Sequence, residues 1–112
     1  MISMRGYESL LVLDPDLDDQ KVNETLKEIS EYIEQNNGKI KKIENLGKKQ
    51  IKFKAKRDKQ GFFYLALLKA DPSMIKSFQN FLKLKSEVIR FYTTINKEIL
   101  NEEEKVDVGS EN

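Results

Sequence analysis

Four runs rich in alternating, β-branched or aromatic residues are separated by stretches with helical apolar spacing, in the order β-α-β-β-α-β. That order predicts an α+β fold of the ferredoxin-like, split β-α-β kind, with one four-stranded antiparallel sheet and two helices on one face. At 112 residues, one domain is expected. Residues 1–97 are assigned to it, and residues 98–112 to an acidic, flexible C-terminal tail.

The first strand is read in "MRGYESLLVL", residues 4–13, and Asp14-Pro15-Asp16 ends it, because proline cannot continue a central ladder. Asp18 is placed to cap a helix running to about Asn36, with Val22, Leu26, Ile29 and Ile33 on its apolar face. Acids in the first turn suit the helix dipole, and Asn37-Gly38 supplies a left-handed stop. A second strand begins at Ile40–Ile43 and resumes after Gly47 as Ile51–Lys56, with Gly47 marking a bulge. The third strand spans Gly61–Leu68. Asp71-Pro72 opens the second helix, which carries Ile75, Phe78 and Leu82 on one face. Residues 87–96, "EVIRFYTTIN", form the last strand, and from Lys97 a frayed end passes into the tail.

Composition narrows the function. The chain lacks cysteine, which excludes disulfides, thiolate metal sites and thiol nucleophiles and fits a reducing cytoplasm. Histidine is absent too, removing the usual general base and neutral metal ligand. No stretch of about 18 apolar residues predicts a membrane span, and "MISMRGYE" lacks an apolar signal core. Asp14, Asp16, Asp18 and Asp19 lack the glycine turn and distal glutamate of a calcium loop, so they are read as capping residues. With no GxGxxG and no Walker loop, no cofactor is expected and no enzyme.

Charge is segregated beneath a net +1. Residues 1–38 hold three bases against nine acids; residues 39–59 hold ten bases against two. Such a basic stretch either attracts a polyanion or keeps a sheet surface solvated. The strands pose a second question. Tyr7, Leu11 and Leu13 share one face of strand one, yet Leu10 and Val12 are apolar on the other. Phe62, Tyr64 and Leu68 oppose Phe63, Leu65 and Leu67 in the same way. Helices cover only one face, so the second apolar face calls for a partner, a dimer or the tail.

"QGFFYLAL", residues 60–67, partly follows the third-strand motif of RNA-recognition domains. Gln60 replaces the base, Phe63 replaces the small residue, and strand one offers no matching aromatics, so aromatic core is the better reading. An acylphosphatase-like enzyme would need a Gly- and Arg-rich loop after strand one, where "LDPDLDDQ" is acidic.

Five segments in order, "MRGYESLLVLDPDL", "ENLGKKQIKF", "KQGFFY", "ADPSMI" and "LKSEVIRF", together resemble the bacterial small-subunit (30S) ribosomal protein S6 family over residues 4–95. Lys52 and Lys54 depart from that family's usual Ala and Pro and add charge. The resemblance implies a non-enzymatic, ribosome-associated cytoplasmic protein that binds the central domain of 16S ribosomal RNA together with ribosomal protein S18. RNA contacts are expected from Arg5, Lys48, Lys49, Lys52, Lys54 and Arg90: the two arginines match family positions at the ends of the two central strands, Lys48 and Lys49 match the family's basic pair, and Lys52 and Lys54 enter by their charge alone. The partner-binding residues would be Leu10, Val12, Phe63 and Leu65, on the uncovered face.

Overall fold

The computed structural model describes residues 4–51 and 59–99, with only the backbone of Gln50, Ile51 and Lys59. The expected order is present: β1 (Arg5–Leu13), α1 (Asp19–Gln35), β2 (Lys39–Ile51), β3 (Lys59–Ala70), α2 (Pro72–Leu84) and β4 (Val88–Ile95). The strands form one antiparallel sheet in the order β2-β3-β1-β4. The central strands are therefore β1 and β3. Arg90 lies on β4, an edge strand, so the expected placement of both arginines on central strands is corrected: the two β-α-β halves interleave, which leaves β2 and β4 outermost.

Local chemistry explains the element ends. Asp18 caps α1 by accepting the Lys21 N–H at 2.7 Å. Asn37, at φ 66°, takes the left-handed position after α1, and the Gly38 N–H closes back on the Ile33 carbonyl at 2.8 Å. Asp71 caps α2, and Pro72 fills its first position without sacrificing a needed N–H. Gly47, at φ +89°, sits at the register shift between Asn45 and Gly47. β2 is consequently one bulged strand rather than two pieces, because the bulge absorbs the extra residue while the ladder to β3 continues. The reading of residues 52–56 as strand and the tail from residue 100 lie outside the described residues.

The core lies between the helices and the helix-facing side of the sheet. Tyr7, Leu11, Ala66, Leu68 and Ala70 meet Ile29 and Ile33 of α1 and Met74, Phe78 and Leu82 of α2. Tyr32 stacks on Phe81 with ring centroids 4.2 Å apart, joining the helices. Two helix faces turn slightly from expectation. Thr25 is fully buried while Leu26 is half-buried, and Met74 is buried while Ile75 is half-buried. Thr25 is tolerated there because its hydroxyl donates to the Lys21 carbonyl at 2.8 Å.

After β4 the chain does not fray at Lys97. Asn96 donates its N–H to the Gly6 carbonyl at 2.8 Å, its side chain caps the following turn at Glu98, and Ile99 is 2% exposed. The packed fold thus runs past residue 97. Gly6 makes the approach possible, since a Cβ there would collide with the Asn96 carbonyl oxygen.

Candidate nucleic-acid and partner interface

Register places the candidate residues. Across the sheet, Gly47, Phe63, Val12 and Arg90 form one row; Glu44, Leu65, Leu10 and Tyr92 form another; Lys42, Leu67, Glu8 and Thr94 a third. Alternation puts all three rows on the face away from the helices. Leu10, Phe63, Leu65 and Leu67 are half-buried there, and Tyr92 is 68% exposed. Val12 is 2% exposed, so it supports this surface from beneath rather than presenting it. Tyr92 and Leu67 complete the apolar patch. Alternation followed on β1 and β3 alone misses Tyr92; the same alternation applied to β4 finds it. The Lys42–Glu44 ion pair, 3.5 Å, borders the patch on β2.

The basic residues do not form one cluster. Lys48 and Lys49 are at the end of the sheet near the start of α1, on opposite faces of β2. Arg90 is exposed near that end, beside Val12. Arg5 is exposed at the other end of β1, about 26 Å away at ~3.3 Å per residue. There it neighbours the row of Lys39, Lys69 and Gly6. Lys52 and Lys54 lie outside the described residues.

On the helix side of the Lys48 end, a cavity of about 370 Å³ opens between α1, β2 and β3. Asp19 and Asn23 of α1 face Asn45 and Lys48 of β2 across the aromatic rings of Phe62 and Tyr64. Lys48 Nζ stands 5.7 Å over the Phe62 ring. Burial first, then the Asp19 charge, pushes the Tyr64 phenol up from its ordinary value. The Asn45 carboxamide oxygen is already engaged, accepting the Gly47 N–H at 2.8 Å and so fixing the bulge.

Residues 6–95 match the family model described as Ribosomal protein S6. The small ribosomal subunit protein bS6 of Helicobacter pylori (strain G27) is 30% identical over 88 residues, 79% of this chain and 62% of that protein. This chain thus spans less than two thirds of the length of the Helicobacter relatives it matches. The Streptomyces griseus bS6 is 26% identical over 78% of this chain and 91% of that protein. The crystal structure of the 30S ribosomal protein S6 from Thermotoga maritima superposes with a TM-score of 0.78 at 23% identity, covering 94% of this chain and 99% of that one. This likeness is one of fold.

Proposed function

The chain belongs to the ribosomal protein S6 family, a family of structural, non-enzymatic ribosomal components, and from that premise we propose that it is a constituent of the bacterial small ribosomal subunit, binding the central domain of 16S ribosomal RNA jointly with ribosomal protein S18. The single observation that carries the reading is the family match over residues 6–95. The geometry supports a division of labour. The helix-free face offers Leu10, Phe63, Leu65 and Tyr92 to a protein partner, with Val12 as its foundation. Lys48, Lys49 and Arg90 at one end of the sheet, and Arg5 at the other, offer cations to RNA. Lys52 and Lys54 are assigned to the same RNA contact for the positive charge they add to the basic stretch of residues 39–59, not from the family pattern, from which they depart.

Cations neutralise phosphates and release condensed counterions, while folded RNA is read by shape. A net charge of +1 gives little long-range attraction, so a partner that enlarges the RNA-binding surface makes association cooperative. Filter binding to a central-domain RNA fragment, with and without S18, tests this. Affinity rising with S18 is the expected result. Tight binding by this chain alone, unchanged by S18, overturns the joint mechanism, and absence of the chain from purified small subunits overturns the ribosomal assignment.

A further inference from the structure

The cavity between α1 and the β2 bulge has a chemically mixed lining of acid, amide, base and aromatic groups. Phe62 and Tyr64 stand two residues apart on the same side of β3, so their rings flank one space. Both are half-buried and leave part of their surface to the cavity. Asp19 offers a carboxylate, Asn23 an exposed carboxamide and Lys48 an ammonium, all around that space. The bulge at Gly47 is what turns Lys48 to this side while Lys49 faces the other. A cavity of about 370 Å³ is the size of a small-ligand site.

We propose that this cavity takes a single unstacked guanine base of RNA. The inference rests on the RNA-binding reading above and assigns that reading a specific pocket. Unpaired bases are recognised by stacking on aromatic rings and by hydrogen bonds to their exposed edges. The Phe62 ring, now under the Lys48 ammonium, supplies the stacking surface, and the long Lys48 chain swings to the flanking phosphate. Asp19 selects the base. Guanine presents two adjacent donors, N1–H and the N2 amino group, to a bidentate carboxylate; the other three bases do not. Beside them, guanine O6 accepts from the Asn23 carboxamide. The same carboxylate repels a phosphate, so the base rather than the backbone enters.

The test uses the full chain, isotope-labelled for amide NMR, titrated with RNA hairpins that differ only in one bulged nucleotide: G, A, C, U or an abasic residue. The bulged-G hairpin is expected to shift the amides of Asn23, Gly47, Lys48 and Tyr64. Asp19→Asn should cut the preference for G over A by about tenfold, the scale of one bidentate contact. Asp18 keeps the helix cap, so the variant is expected to fold as wild type. Phe62→Leu, checked by thermal melting, should weaken every base-bearing hairpin by at least roughly fivefold and leave the abasic one unchanged. If all five hairpins bind equally and move only amides elsewhere, the pocket is overturned and general RNA binding stands. If no hairpin binds even with S18 present, the RNA-binding reading falls and the pocket with it. Guanosine monophosphate alone separates a nucleotide site from an RNA site: pocket shifts as strong as with bulged-G RNA would overturn RNA as the ligand.

Discussion

Two glycines do opposite jobs, and alanine distinguishes them. At Gly6 a methyl group meets backbone, the Asn96 carbonyl oxygen, and the Ile99 Cβ at 2.8 Å. Neither can yield without lifting the post-β4 turn off the sheet. Gly6→Ala should therefore destabilise by about 2–3 kcal/mol or more, as overpacking does, and should expose Ile99. At Gly47 a methyl group finds open space, but φ is +89°, so Gly47→Ala should cost about 1–2 kcal/mol of backbone strain alone. Urea titration of both variants checks the ranking, with Gly6→Ala the worse. The sequence announced Gly47 through the basic strand it interrupts. It did not announce Gly6, because a glycine early in a strand looks the same whether or not a distant segment crosses it.

Among the elements, α1 shows how far periodicity reaches. Val22, Ile29 and Ile33 were legible because they repeat at helical spacing. Thr25 was not, because its polarity disguised a buried position whose hydroxyl is satisfied by its own helix. Ile29→Ala should thus cost about 2–5 kcal/mol, and Leu26→Ala, at the half-buried rim, clearly less. Equal losses in chemical denaturation would show the stripe centred on Leu26 after all. The start of α1 is tied to the approach to β4 by Lys21 and Glu87, 3.2 Å apart. Hydrogen bonds from its own backbone and from Lys21 hold Glu87 below the usual carboxylate range. A depressed carboxyl stabilises the fold above its unfolded value, about 4.3, and that contribution is lost as pH falls through the lower folded value. The melting temperature of Glu87→Gln should lie slightly below wild type at pH 7 and converge with it on acidification through that range.

For the whole molecule, the architecture was legible because element order and capping signals agree at every boundary. The distribution of candidate residues was not, because which rows lie side by side depends on register across the sheet, and register needs the folded strands. Hence Arg5 proved remote from Lys48, and Tyr92 joined Leu10 and Leu65. Lys48→Ala with Lys49→Ala should lower the salt slope of RNA binding by about 0.7–0.9 for each phosphate that is no longer neutralised. Stability should stay within about 0.5 kcal/mol, since both side chains lie at the solvent-facing end of the sheet. Tyr92→Asp should abolish pairing with S18 in a pull-down while leaving the melting temperature nearly unchanged; retained pairing would move the partner off the open face. The central position of β1 also governs how the chain is made. Ser9 and Thr93 share a hydrogen bond across 84 positions of sequence. At about 5–20 residues per second, β1 emerges some 4–17 s before the strand that completes its enclosure. Its Leu10–Leu13 run must stay sheltered or soluble through that interval, so a strand at the middle of the finished sheet waits, uncovered on one edge, for a partner made long after it.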